Sequence, residues 1–347
     1  MKLTLKFILY PLSLALVGCQ STQLSTSTDS TVANSNQSVY GVECAAAEHF
    51  AHQAKTLTLA FQRYCSQPKN NNSDASVKSV WYKTMQAWMA LQGQEVGPEK
   101  ALQQSWNIQF WPDKKNTTGR KMLRLLQQNK SWTATEISQQ SVAVQGLGSL
   151  EWLLYDSSST LGQDNNSCDL AVAISKNLER NALAVSKAWE KDNPWRELTD
   201  SVWLATYTSL LSHQLDYTMK KLSLTMAKIG YPKPYFAESW RSKTSIQNIK
   251  FNVLALQRLY VADGHGMDRI LRSRGDEQLA NSIQAQFESI LASWPNQHTL
   301  FEMLQTHKGY QSLLLQFNKL YQLRYLIQDQ VPVKLGVTIG FNSTDGD

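Results

Sequence analysis

Apolar residues recur at three- and four-residue intervals along most of this chain, and stretches that alternate apolar with polar positions are scarce. That period predicts helices rather than strands. The helical stretches run from about Ala45 to Tyr64, Asp74 to Leu91, Thr118 to Gln128, Ala134 to Tyr155, Cys168 to Glu190 and Trp195 to Ile229. Later ones run from about Ser245 to Val261, Asp276 to Ser293, Thr299 to Thr306 and Tyr310 to Gln328. The punctuation agrees with these limits: Thr133-Ala-Thr-Glu136 reads as a capping box, Ser73 and Ser167 as N-caps, Pro98 suits a first turn, and Gly230 with Pro232 and Pro234 ends a long helix. A composition break at Asp192-Asn-Pro-Trp195 divides the chain into a bundle over 44–192 and a second over 196–330. The expected fold is all-α, two helical-bundle domains, each approximately a four-helix bundle. Leu147–Asp156 partly echoes Leu254–Asp263, which suggests an internal pseudo-repeat. Residues 331–347, rich in Gly, Thr and Asn, read as a loose tail in which Val333–Phe341 could add a short extended piece.

One position breaks the pattern. In Ser141-Val-Ala-Val-Gln-Gly-Leu-Gly-Ser-Leu-Glu-Trp-Leu-Leu-Tyr-Asp156, Glu151 falls on the helix face of Val144, Leu147, Leu154 and Tyr155, so a carboxylate sits inside a core-facing stripe. A charge placed there needs a partner. Gly148, one turn earlier on the same face, leaves bare backbone, and Gly146 adds a second helix-weakening residue; together they cost roughly 1–2 kcal/mol relative to alanines. Room beside Glu151 is the expected return for that loss. Glu151 then lines a pocket between the two bundles, together with Gln145, Gly146 and Gly148, or forms a buried ion pair. Arg241, in Trp240-Arg-Ser-Lys243 just ahead of a second-bundle helix, is the leading partner and could hold an anionic ligand bidentately. Gln109-Phe-Trp-Pro-Asp-Lys-Lys-Asn116 reads as a loop, because Pro112 blocks helix continuation and biases Trp111 toward extended backbone. Gln109, Trp111 and Asp113 are its pocket candidates; the alternative is a packed elbow with Asp113 capping the next helix.

Composition narrows the classes of function. The first 18 residues read as an export signal, with Lys2 and Lys6 ahead of an apolar run too short to span a membrane permanently. Leu16-Val-Gly-Cys19 fits a lipobox in which Cys19 is lipidated, anchoring the chain in the bacterial periplasm; the alternative is an ordinary signal peptide ending in Cys. Gln20 and Ser21 favour the outer membrane. Residues 19–43, mostly Ser, Thr, Asn and Gln, read as a flexible tether. Removing the signal takes two lysines and no acids from 34 basic and 28 acidic residues, so the net charge falls from +6 to +4, which is no nucleic-acid footprint.

The eleven tryptophans raise the idea of a glycan-stacking or haem-clamping surface, yet Trp81, Trp88, Trp189 and Trp203 sit at ordinary core spacing, and only Trp111, Trp152 and Trp240 neighbour the motifs. Among six histidines, His49 and His52 share a helix face without nearby carboxylates, and His265 sits on a Gly-flanked turn as a loose metal-ligand candidate beside Glu151. Neither His-Glu-x-x-His nor a nucleophile elbow occurs, so the three ligands a zinc protease needs are not visible.

Gly146-Leu-Gly-Ser-Leu-Glu151 resembles the Gly-x-His-x-x-Glu signature of the imelysin-like family, with Gly148 in place of the histidine. Gln109–Asn116 and Glu238-Ser-Trp-Arg-Ser-Lys-Thr244 resemble further segments of a periplasmic lipoprotein subgroup, and the likeness spans about residues 45–330. The resemblance implies a link to iron acquisition, with iron, an iron chelate or haem as the ligand. It also supports a Cys65–Cys168 disulfide, which the placement of both cysteines at helix ends favours. Cys44 with Cys65 is the rival pairing, made hard by ~30 Å of intervening helix. The first expectation is a lipid-anchored periplasmic protein that binds a small ligand or iron species, with possible envelope partner proteins. The alternatives are an imelysin-type metallopeptidase using Glu151 as metal ligand or base, and an envelope scaffold with a vestigial pocket.

Overall fold

The computed structural model describes residues 25–66, 71–191, 193–296 and 299–338. The signal segment 1–18, Cys19 and the end of the C-terminal tail lie outside the described residues. Within them the chain is helical and forms only two isolated β-bridges. Fifteen α-helices follow one another: α1 Ser25–Ser66, α2 Asn71–Met89, α3 Glu99–Leu102, α4 Ser105–Ile108, α5 Thr117–Gln127, α6 Ala134–Ser138, α7 Gly146–Tyr155 and α8 Asn165–Lys191 in the first half. The second half holds α9 Asp200–Met226, α10 Ser245–Val261, α11 Met267–Ser273, α12 Glu277–Ala292, α13 Leu300–Leu304, α14 His307–Arg324 and α15 Val331–Leu335.

The first bundle is built on α1, which packs along α8 and α2, with α7 laid between α8, α5 and α2. In the second, α9 is flanked by α10 and α14, and α12 closes against α14. The halves are not separated by solvent. α1 reaches α9, α10 and α11, α2 packs on α10, and one buried apolar cluster runs from Val32 to Leu335. The expected boundary is itself core: Trp195 sits between Trp189 and Trp203, with ring centroids 5.3 and 5.2 Å away, in an aromatic stack that joins α8 to α9. The helix expected from Trp195 therefore begins only at Asp200.

Three further expectations are corrected. The supposed tether is helical from Ser25, and Val32, Ser35, Val39 and Val42 are buried at three- and four-residue spacing. Few apolar residues suffice there because polar ones dock too: Asn36 donates to the Trp195 carbonyl at 2.8 Å and accepts from Asn193 at 2.8 Å, while Tyr40 donates to the Trp189 carbonyl at 2.6 Å. The single helix expected over Ala134–Tyr155 breaks into α6, a 3₁₀ turn at Val142–Val144 and α7, because Gly146 takes φ +68°. The C-terminal segment is not loose from residue 331: a π-helical turn over Tyr325–Gln330 carries α14 into α15, and Val331, Pro332 and Leu335 are buried. The cysteine expectation, by contrast, is met. Cys65 at the end of α1 bonds Cys168 in the first turn of α8, with Cα atoms 5.6 Å apart, and Cys44 is free.

Candidate functional site

The first turn of α7 explains the two glycines separately. A Cβ on Gly146 would lie 2.0 Å from the Ile108 carbonyl oxygen, so this glycine lets α7 start against the end of α4. A Cβ on Gly148 would meet nothing within 4 Å. Only Gly148 leaves room for something else. It lines, with Glu151, a cavity of about 30 Å³ between the bundles. Trp81, Met85 and Leu147 form its apolar side, the Gln109–Asp113 loop a second, and the segment Tyr235–Arg241 the third. Trp81 donates its indole N–H to the Leu147 carbonyl at 3.1 Å and so fixes α7 against α2.

Glu151 is 4% exposed. Its Oε1 accepts the backbone N–H of Ser242 and lies within hydrogen-bonding distance of the Ser242 hydroxyl, both at 2.8 Å. Oε2 makes no hydrogen bond among the described residues. Burial pushes the carboxyl up to about 7, against the pull of the Ser242 hydrogen bonds and the Arg241 charge. With Oε1 engaged by two donors, the proton belongs on Oε2.

The expected pairing of Arg241 with Glu151 is not made. Its Nε donates to Asp156 Oδ2 at 2.7 Å, its Nη2 donates to Asn116 at 2.6 Å, and its guanidinium stacks 4.2 Å over the Trp240 ring. Asp156 lies at the C-terminal end of α7, one and a half turns beyond Glu151, where its half-buried carboxylate meets the guanidinium edge-on. The two bundles are still bridged at this point, by Arg241–Asp156 and by Ser242–Glu151.

The loop residues divide. Trp111, preceding a cis Pro112, donates to the Phe236 carbonyl at 3.0 Å. Asp113 spends both carboxylate oxygens on the N–H groups of Thr117 and Thr118, at 2.6 and 2.9 Å, capping α5 while one edge of it still lines the cavity. Gln145 and Gly146 are outside the cavity lining; Gln145 donates to the Gln140 carbonyl and accepts from Asn177, both at 2.9 Å, holding the 3₁₀ turn. Trp152 is core, and Trp240 is half-buried against Tyr235. His265 is exposed on the turn between α10 and α11 and is not part of the lining, so it is no companion to Glu151.

Gln109 leads to a neighbouring network. Its Oε1 accepts from Trp88 at 2.8 Å and Gln92 at 2.6 Å, and its Nε2 donates to Glu238 Oε1 at 2.9 Å. Glu238 also accepts from Gln92 at 2.6 Å and, through Oε2, from Lys221 at 2.7 Å; Lys221 donates further to Asn252 at 2.6 Å. Burial lowers the Lys221 ammonium, and Glu238 opposes that shift.

The comparisons with known proteins bear on all of this. The family model for imelysin, peptidase family M75, matches residues 43–327. The chain belongs to the imelysin family. The imelysin fold is seen in an imelysin-like protein from Psychrobacter arcticum 273-4, at TM-score 0.73 and 19% identity, covering 90% of this chain and 98% of that one. A protein described as an iron-regulated protein A precursor, from Parabacteroides distasonis ATCC 8503, superposes at TM-score 0.67 with 10% identity, covering 90% and 97%. No curated protein matches the chain.

Within this imelysin, the residues overlooked in the sequence are Ser242, Asp156, Asn116, Glu238 and Lys221. A signal existed for Lys221: it lies in the buried stripe of α9 between Thr218 and Thr225, the same anomaly that marks Glu151. Ser242 carried none, since a serine before a helix reads as an ordinary cap. An imelysin's metal would have to be held by this donor set, and the set does not fit one. Among the described residues no three His, Cys, Asp or Glu side chains come together, whereas a catalytic zinc takes three protein ligands. Haem does not fit either, because the cavity is about a tenth of the 300 Å³ or more usual for sites of small organic ligands.

Proposed function

We propose that this imelysin is a lipid-anchored periplasmic binding protein, linked to iron acquisition, and not a peptidase. The observation that carries the reading is Glu151 itself: a buried carboxyl with one oxygen held by Ser242, lining a water-sized space left open by Gly148, where the family resemblance expects a histidine. A cavity of about 30 Å³ admits one or two water-sized groups. What it suits is a small polar ligand or an iron ion that keeps its own waters, since the space is too small for a chelator and the protein offers a single free carboxylate oxygen. The iron-regulated relative supports the iron link and export, and Leu16-Val-Gly-Cys19 supports the anchor, with the outer membrane favoured by Gln20 and Ser21. Envelope proteins are the expected partners for a chain placed there.

The test is thermal denaturation of the full chain with ferrous sulfate, ferric citrate or zinc, beside elemental analysis of freshly purified protein. A ligand that prefers the folded state raises the melting temperature, by about 2.7 kcal/mol of stabilisation at a hundredfold excess over its Kd. Iron is expected to stabilise the protein and Glu151→Gln to abolish the shift. Absence of any shift from either iron salt removes the iron reading, and metal-dependent peptide cleavage lost in Glu151→Gln would restore the peptidase. Gly148→His supplies a further arm: it places an imidazole one turn from Glu151, so zinc should stabilise that variant more than the wild type.

A further inference from the structure

The eleven tryptophans are not alike. Trp106, on α4, is 54% exposed, while the others are buried or half-buried. A tryptophan presents 150–250 Å² of surface, and leaving half of it in water forgoes a large share of the available burial energy. Trp106 is not isolated on a convex surface. It lines a groove of about 500 Å³ on the far side of the Gln109–Trp111 wall from the Glu151 cavity, within the size range of sites for small organic ligands. Trp111 and Tyr217 line the same groove, and Trp106 itself leans on Phe110 with ring centroids 5.8 Å apart.

The polar lining narrows the ligand. Gln94 gives one N–H to Glu43, and its carbonyl oxygen and second N–H carry no hydrogen bond among the described residues. Amides of this kind both donate and accept, as sugar hydroxyls do. The charged lining residues are one acid, Glu95, and one base, Lys220, so the groove attracts neither anions nor cations strongly. The floor is rigid: Gln109 and Gln92 are locked into the Glu238 network, and a Cβ on Gly93 would lie 2.5 Å from Tyr217 Cβ, so the loop is pressed directly onto that ring.

We propose that this groove binds an uncharged pyranose ring, stacked on Trp106 and hydrogen-bonded to Gln94. It is a second site, independent of the Glu151 cavity, and gives an envelope-located imelysin a neutral glycan to hold. The test titrates the full chain with glucose, N-acetylglucosamine, maltose and chitobiose, read by saturation-transfer NMR and tryptophan fluorescence. At least one sugar is expected to bind saturably at millimolar concentration or below. Trp106→Ala should weaken it about tenfold or more, and Trp106→Phe less, both with unchanged melting temperature because the side chain is largely exposed. Gln94→Ala should weaken binding with no change in the fluorescence of the free protein. Glu151→Gln, which removes the iron response, should leave sugar binding intact, so the two readings fail separately. No saturable binding by any of the four sugars overturns the proposal, as does binding unchanged in Trp106→Ala. Preferential binding of 2,3-dihydroxybenzoate, or concentration-dependent dimerisation that shields Trp106, overturns it in favour of another occupant.

Discussion

Two buried glutamates meet the junction between the bundles, and their surroundings are opposite. Glu238 is 2% exposed and has donors on both oxygens, from Gln92, Gln109 and Lys221. Glu151 has donors on one oxygen only, and it lines a cavity kept open by Gly148. A carboxylate with its partners complete is structure: its desolvation is offset by a cation and amides fixed in place. A carboxyl left half satisfied pays for burial with a raised pKa, and what it retains is capacity to take one more donor, a proton or a ligand.

The largest expected effect is on pH dependence. The folded state holds a proton on Glu151 up to about 7 and on Glu43, buried in α1 with Oε1 unpartnered, up to about 8, while the unfolded chain releases both near 4.5. Below 4.5 both states are protonated and stability is full; above it the folded form binds more protons, so stability falls as pH rises through 7 and 8. Each group accounts for roughly 3 kcal/mol or more of that fall. Urea denaturation across this window should show the decline, with Glu151→Gln removing about half of the slope between 4.5 and about 7, and Glu43→Gln the other half together with the part that extends to about 8. A flat profile in the wild type would mean that neither carboxyl is protonated, and the contrast with Glu238 would collapse.

Next in size is the direct break of the completed network. Lys221→Met should cost about 3–5 kcal/mol, because it strands Glu238 without its cation. Glu151→Gln should stay within about 1 kcal/mol below pH 4.5, where the wild-type carboxyl is protonated in both states and the amide oxygen still accepts from Ser242, and should stabilise by roughly 3 kcal/mol at neutral pH, where the wild type has lost that much. Equal costs, measured by chemical denaturation, would show that Glu151 is as fully partnered as Glu238.

The glycines give a comparison of the same kind within one turn. Gly146→Ala forces a side chain into the left-handed region and onto the Ile108 carbonyl, and should cost roughly 2–3 kcal/mol. Gly148→Ala should instead stabilise α7, by about 0.5–1 kcal/mol, while filling the space beside Glu151. Differential scanning calorimetry of the two variants should move in opposite directions. The smallest effect is sharpest for function: a stabilised Gly148→Ala that no longer responds to iron would locate the ligand at that bare turn.

How much of this was legible in the chain depends on whether the property is periodic. Burial of Glu151 followed from its angular position among Leu147, Leu154 and Tyr155, and the structure leaves it 4% exposed. The same wheel contains Lys221, whose burial is not legible because a lysine beside Gln214 and Thr218 reads as a polar face until those residues are known to be inside. The segment ahead of Ala45 reads as a tether for a related reason. Composition counts apolar residues, but Val32, Val39 and Val42 dock through their spacing, and Asn36 and Tyr40 through hydrogen bonds to α8 and the Trp195 turn.

The sequence by itself determined the helical class, the resemblance to the imelysin family and the presence of a carboxyl where apolar residues belong, and it favoured Cys65 with Cys168 over Cys44 with Cys65. These follow from local periodicity, helix punctuation and motif order, which each segment carries alone. Only the tertiary structure decided that Ser242 and not Arg241 holds Glu151, that Gly146 turns the chain while Gly148 opens a space, and that Trp106 stays in water beside a groove. Those outcomes depend on which loops of the two bundles meet, and hydrogen bonds and cavities change with displacements of an ångström that no spacing along the chain encodes.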